Sequence, residues 1–443
     1  MSTFIRAIVL ALCAAASVSS EQAVLFEDAL VVPAQEQHVH GSSIVVLPDG
    51  GLLASWFQGS GERWADDVVI MGARRLAGAT AWSASFVLAD TAGFPDINPT
   101  LFLDDRGVLW LAWYAVLANQ WETSLLMYAT SDDFMRDGPP AWTTQRTLLV
   151  RHATTERGIQ PGDPFVAAVE TKAREYVSRL SPAAGSGTGA ADAWIARVVA
   201  RARGDDMRRD GRIFADPARG DAGGYQEATL GYPLSRRLGW QTQNKPVILS
   251  GGRIVLPLYS DGFSFSLVAI TDDHGATWRF SEPIVGMGNI QPAIAVRGDG
   301  RLVAYMRDNG PAPKRLHVSE SSDRGETWSA VRDSSLPNPG TGADILTTRD
   351  GTWVLAFNDI EQGRTSLAVA ISEDEGQTWP WIRRVERDDR AEAVATRSHY
   401  PAIVQAADGT FHLTYSYHHN DRPAATARAI KHVRFNEAWV KAR

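Results

Sequence analysis

The chain has 443 residues, one cysteine, 44% hydrophobic and 21% charged residues, and a formal net charge of -7. That balance fits a folded globular protein and excludes a disordered chain, a disulfide-built scaffold and a basic nucleic-acid binder. It leaves an acidic ligand open, because a cleft can carry a local charge opposite to the global one.

The N-terminus reads MSTFIRAIVLALCAAASVSS, with Arg6 ahead of an apolar run from Ile8 to Ala16 and small residues after it. This pattern predicts a secretory signal peptide over 1–20, cleaved between Ala16 and Ser20, and hence an exported protein, periplasmic or extracellular. Cys13 follows Leu12 rather than the small residue a lipid-anchored cysteine needs, so the mature chain is expected to carry no thiol chemistry. No other stretch is long and apolar enough for a membrane span. Residues 21–443 are read as a single domain.

From Ser43 onward one unit recurs: a short apolar strand, a turn ending in glycine, and a second apolar strand. It appears as SIVVLPDGGLLASWF, PTLFLDDRGVLWLAWY, PVILSGGRIVLPLYS, PAIAVRGDGRLVAYMR, DILTTRDGTWVLAFN and PAIVQAADGTFHLTYSY. Asp-Gly and Gly-Gly supply the positive φ that tight hairpins require, and the flanks are rich in strand formers. The turn glycines are Gly50, Gly107, Gly252, Gly300, Gly351 and Gly409, so successive spacings are 57, 145, 48, 51 and 58. Four of the five suit one blade of a β-propeller. The sequence therefore predicts an all-β, six-bladed propeller. The long gap holds an insertion and leaves a seventh, degenerate blade open. Within it, about 155–238, DPFVAAVETKAREYVSRL and ADAWIARVVARARGDD carry apolar residues at helical spacing around AAGSGTGA, predicting two helices on the flank or rim between blades 2 and 3.

A second repeat runs in phase with the first. Thr271–Trp278, Ser321–Trp328 and Ser372–Trp379 share the form S/T-x-D-x-G-x-T-W, with Asp273, Asp323 and Asp374 spaced 50 and 51 apart. Degenerate copies end at Trp82 and Trp142. These octapeptides are the Asp-boxes, or BNR repeats, of the sialidase (neuraminidase)-like superfamily, which the chain resembles over about 40–150 and 240–437. Asp-boxes are structural, so the resemblance implies the fold and not the reaction.

In a propeller the residues entering the innermost strands gather at one mouth of the central channel. Here they are His40, Asn98, Asn244, Gln291, Asp344 and Tyr400, all polar. A water-filled channel without chemistry is the alternative. Loops at the same end offer Arg63, Asp66 and Asp67, then Trp121, Trp240, Tyr259 with Asp261, Arg307 with Asp308, Asn358 with Asp359, and Arg397 with His399. Aromatic faces, carboxylates and arginines suit a sugar acid: indole stacks on the ring and guanidinium forks onto the carboxylate.

The resemblance implies roles for some of these. Asp66, with Asp67 as alternate, matches the acid/base. Arg307 matches one arginine of the family's triad, and Tyr400 matches the nucleophile. Two positions depart: His40 stands where an arginine is expected and Gln291 where a glutamate is; no clear third arginine is found, and Arg364 is the candidate for it. A Tyr400 nucleophile would then need another base, His399 or Asp66. The chain is also similar, at His40, to sialidase-like propellers that are polysaccharide lyases or rhamnose/uronate-active enzymes. In that reading His40 is the base, Tyr400 the acid, and Asn98, Gln291 and Arg307 the donors. Three functions are thus open: an exo-acting glycoside hydrolase on acidic sugars, a lyase, and a non-catalytic glycan-binding propeller. None calls for a cofactor or a bound metal, since no phosphate loop, dinucleotide fingerprint or H-E-x-x-H occurs. His418-His419 reads as a surface pair.

Overall fold

The computed structural model describes residues 23–151, 162–180, 188–203 and 238–442. The expected signal peptide, Cys13 and most of the segment after the second helix lie outside them. Among the described residues the strands form six four-stranded antiparallel sheets arranged as a six-bladed propeller. The innermost strands are His38–Val46, Asp96–Leu103, Val247–Leu249, Asn289–Val296, Asp344–Thr347 and Thr396–Gln405. Each pairs with the next strand across the Gly turn anticipated from the repeats. Five sheets are contiguous in the chain. The sixth takes its outermost strand from the other end: Phe26–Gln35 pairs with Arg428–Phe435, Phe26 opposite Phe435. That exchange closes the ring non-covalently, as a chain with one cysteine requires.

The apolar core lies between neighbouring blades. Blades 1 and 2 share Leu53, Phe57, Ile70, Leu111, Trp113 and Tyr114. The Asp-boxes lock these seams. Asp273 accepts from the Thr277 backbone N–H at 2.8 Å and from the Thr271 hydroxyl at 2.7 Å. Asp323 and Asp374 repeat the pattern. Gly275 sits so close to Trp110 of the preceding blade that a Cβ would lie 2.6 Å from the indole, which with its positive φ requires glycine.

The insertion forms helices over Pro164–Leu180 and Thr188–Ala202. Phe165, Val166, Val169 and Ala173 bury one face of the first against the cluster around Phe263 and Phe265 of blade 3. Lys172 donates to the Trp328 carbonyl at 2.9 Å and ties it to blade 4. The helices thus sit on the flank, and no seventh sheet occurs among the described residues. No helix there is long and apolar enough to cross a membrane.

Candidate functional site

Four innermost strands carry one extra residue against their partners, with two unpaired positions facing one: between His40 and Ser43, Ile97 and Thr100, Ile290 and Ala293, and His399 and Ala402. The first unpaired residue of each slip has positive φ: Gly41, Asn98, Gln291 and Tyr400, at 61°, 47°, 53° and 56°. Left-handed backbone is uncommon outside glycine, and each non-glycine member here is followed by Pro99, Pro292 or Pro401. Strain of about 1–3 kcal/mol per such residue persists where the surroundings over-determine it. The bulge re-aims the side chains of Asn98, Gln291 and Tyr400 toward one another across the channel mouth.

This geometry corrects the expected ring. His40 lies one residue early: Gly41 holds the bulge position, and the counterpart of His40 is His399. Asn244 and Asp344 do not share the bulge. Asn244 donates to the carbonyls of Gln291 and Pro292, at 3.3 and 3.0 Å, and so buttresses that bulge from behind. Asp344 is buried in an ion pair with Lys245 at 2.6 Å and accepts from the backbone of Ile345 and Ile403. Trp240 is 1% exposed and packs with Phe263 and Phe265 in the core, so it offers no face to a sugar.

Tyr400 is the centre of the group. Arg307 Nη1 donates to its hydroxyl at 2.9 Å and to Gln291 Oε1 at 3.3 Å. Gln291 Nε2 lies 3.5 Å from the same hydroxyl. Arg364 places its guanidinium carbon 5.5 Å from the centre of the phenol ring. Burial pushes the Tyr400 phenol up, but Arg307, Arg364 and the Gln291 amide outweigh it and hold the phenol below its ordinary value. The backbone of Arg364 accepts from Ser398 N–H at 2.8 Å, fixing that loop beside the bulge. Gly342 completes the wall: a Cβ there would sit 3.2 Å from Gln291 Oε1 and 3.3 Å from the Tyr400 ring.

Asn98 and Gln291 both donate to the Tyr259 hydroxyl, at 3.3 and 3.4 Å. Burial drives the phenols of Tyr259 and Tyr114 upward, so both stay neutral. Asp261, two residues beyond Tyr259, is raised by burial, against the lowering pull of Arg307 and the Gln241 amide. It is a carboxyl with unusual affinity for a proton, in the field of the same arginine that touches Tyr400.

Blades 1 and 6 add four imidazoles. His40 stands edge-on to Tyr400, ring centres 4.5 Å apart, and its Nδ1 is 2.7 Å from the Ser416 hydroxyl. His399 lies 4.7 Å from His40 and 5.0 Å from His418. Burial lowers the proton affinity of all three, and neighbouring histidines and arginines add to it. His40 is therefore neutral near neutral pH. His399 is 3% exposed, and neither ring nitrogen has a hydrogen-bond partner among the described residues. The fourth, His38, lies with Nε2 3.1 Å from Glu62 Oε1. Arg397 borders this cluster, half-buried, with its Nε unpaired.

The first-blade loop arranges its acids differently from the expected pattern. Asp67 is exposed and spends both oxygens on the Ser60 N–H and hydroxyl. Asp66 is exposed as well, and the carboxylate that turns inward is Glu62. Arg63 lies at the rim between two indoles, 5.3 Å from Trp64 and 4.9 Å from Trp121. His38 and Glu62 were missed from sequence. Strand alternation puts His38 on the face of His40, two residues on, and could have flagged it. Nothing local distinguished Glu62 from Asp66. His418 is not a surface residue: it is buried and its Nε2 contacts the Val39 carbonyl at 2.8 Å.

Among the described residues one set brings three metal-type donors together, Asp104, Asp105 and His274, away from this mouth. Asp104 already accepts from Arg106, Val108 and Trp110, as a hairpin clamp does.

Known proteins place this geometry. A sialidase from Micromonospora viridifaciens is 28% identical over 40% of this chain and 26% of its own length. An anhydrosialidase from Macrobdella decora is 31% identical over 25% of this chain and 13% of its own. The chain thus spans about a quarter or less of these curated relatives. Among solved structures, NanB sialidase from Streptococcus pneumoniae superimposes with a TM-score of 0.61 at 11% identity, covering 93% of this chain and 71% of that one. The intramolecular trans-sialidase of Ruminococcus gnavus gives 0.59 at 13%, covering 94% and 98%. A protein of unknown function from Dyadobacter fermentans gives 0.62 at 13%, covering 93% and 98%. At such identities these likenesses speak for the fold alone. The BNR repeat-like domain family matches residues 50–171 and 240–413, and with six blades, three Asp-boxes and these neighbours the chain belongs to that family within the sialidase-like superfamily.

Proposed function

We propose that this protein is an exported glycoside hydrolase acting on an acidic sugar, with Tyr400 as nucleophile. The observation that carries the reading is the Arg307 guanidinium on the Tyr400 hydroxyl at 2.9 Å with Arg364 against its ring. Two half-buried arginines at a channel mouth offer a sugar carboxylate charge-assisted bonds while making the phenol a better nucleophile. Gln291 cannot take the phenolic proton. Asp261, raised by burial, can accept it during attack and return it when the tyrosyl bond breaks. Arg63 and Trp121 lie at the rim, where a second sugar would leave. Export rests on the N-terminal pattern, and sequencing the N-terminus of the secreted protein checks it.

The test is a screen of sialosides and acidic polysaccharides with both reducing-end and ultraviolet readout. The reading expects new reducing ends, no ultraviolet-absorbing product, and loss of turnover in Tyr400→Phe. An unsaturated product lost in His40→Ala would establish the lyase instead. Binding without any product would leave a lectin.

A further inference from the structure

The glycosidase reading supplies a nucleophile but leaves the leaving group without an acid. Asp66 and Asp67, the acids expected from the sequence, are exposed, and Asp67 is committed to Ser60. The inward-facing pair on the same blade is His38 with Glu62. His38 opens the innermost strand and Glu62 begins the turn in which the Ala65 N–H bonds the Glu62 carbonyl. Their closest atoms are 3.1 Å apart, and their side chains are 16% and 25% exposed. Unlike the buried His40 and His399, this imidazole can meet a substrate atom and still exchange protons with water. The His38 ring lies 5.4 Å from that of His40, which stands 4.5 Å from the Tyr400 ring, and Glu62 adjoins Arg63 at the rim beside Trp121. The pair therefore faces the space between nucleophile and rim, where a scissile bond would lie.

We infer that His38, oriented by Glu62, is the general acid and base of this site; the inference rests on the glycosidase reading. Glu62 Oε1, 3.1 Å from Nε2, holds the ring by charge and leaves Nδ1 to exchange protons with the substrate. In the first step the Tyr400 oxygen bonds the anomeric carbon and its proton passes to Asp261. The glycosidic C–O bond breaks, and the leaving oxygen takes the Nδ1 proton. In the second step neutral Nδ1 takes a proton from the attacking water. The tyrosyl–carbon bond then breaks, and Asp261 returns the proton to Tyr400. Glycoside and water become free sugar and alcohol, with every proton accounted for. Burial alone would raise Glu62, yet its contacts with His38, Arg63 and Arg364 hold it below its ordinary value, so it remains an anion and serves as the orienting partner. The groups facing His38 are Glu62, His40 and His418, with Arg428 3.3 Å behind His418. The pH profile therefore belongs to this set together.

The experiment compares the full-length wild type, His38→Gln, Glu62→Gln and Asp66→Asn on two probes: a nitrophenyl α-sialoside, whose leaving group needs no acid, and sialyllactose, whose leaving group does. His38→Gln is expected to lose about a hundredfold to ten-thousandfold of kcat/KM on sialyllactose, keep most of its turnover of the nitrophenyl probe, and lose one limb of its pH profile. Glu62→Gln, on a surface loop, should show the same selectivity in weaker form, and it carries the test if His38→Gln fails to fold. Equal losses on both probes, no loss on either, or the selective loss appearing in Asp66→Asn instead overturns the assignment. A wild type that turns over neither probe overturns the sialoside form of the glycosidase reading, and the proton relay with it.

Discussion

Replacing Arg307 by Gln should make the Tyr400 phenol a weaker acid, and the size of the change follows from the contact. Arg307 Nη1 is 2.9 Å from the hydroxyl. Opposite charges about 4 Å apart attract by about 4 kcal/mol at an effective dielectric near 20. About 1.36 kcal/mol changes a proton equilibrium tenfold. Arg364 remains against the ring and water can enter the vacated space, so the expected loss of acidity is about tenfold to a thousandfold. Alkaline difference absorbance of the phenolate reads this directly, without a substrate. The background is favourable. Tyr176 and Tyr305 are pushed up to about 12, and Tyr114, Tyr259 and Tyr415 are also raised. The wild type should show an early-titrating phenol that is absent from Tyr400→Phe and moved to higher pH in Arg307→Gln. If wild type and Tyr400→Phe titrate identically, or Arg307→Gln leaves the early component in place, the arginines do not activate Tyr400 and the nucleophile assignment fails.

Three further outcomes test residues whose roles are structural. Asp344→Asn strands Lys245 in a buried pair, so denaturant unfolding should show a loss of about 3–5 kcal/mol. Trp240→Ala empties a core position and should cost about 3–5 kcal/mol by the same measurement; a near-neutral change would return Trp240 to the sugar-binding surface. His317 bridges Asp308 and Asp333 at 3.3 and 3.1 Å. Burial lowers its proton affinity, but the two carboxylates outweigh that and raise it above 6.5. A raised folded value stabilises fully below the unfolded value and fades as pH climbs through the folded one. The stability gap between wild type and His317→Asn should therefore be widest at about pH 6 and narrow in alkali; a gap that widens with pH would contradict the pairing.

Much of the fold was legible because its signals are local. A Gly turn between two apolar runs specifies a hairpin wherever it occurs, and three Asp-boxes in phase specify stacked blades. The site was legible in part. Tyr400, Gln291 and Asn98 share a position that the repeat register exposes, each before a proline. The register failed by one residue at His40, because Gly41 carries the bulge without a side chain to announce it. It failed at Asp344 and Trp240 because a polar residue before a strand, or an indole after a glycine, reads the same whether it faces a channel, a lysine or a core.

By itself the sequence determined the repeat, the blade count within one, and the residue types available at the channel mouth. These depend on chain spacing and backbone preference, which each segment carries alone. Only the tertiary structure decided which carboxylate turns inward, which histidines gather beside Tyr400, and that Arg307 and Arg364 converge on one phenol. Those contacts join blades 1, 4, 5 and 6, and electrostatic coupling depends on distance through space, which spacing along the chain does not encode.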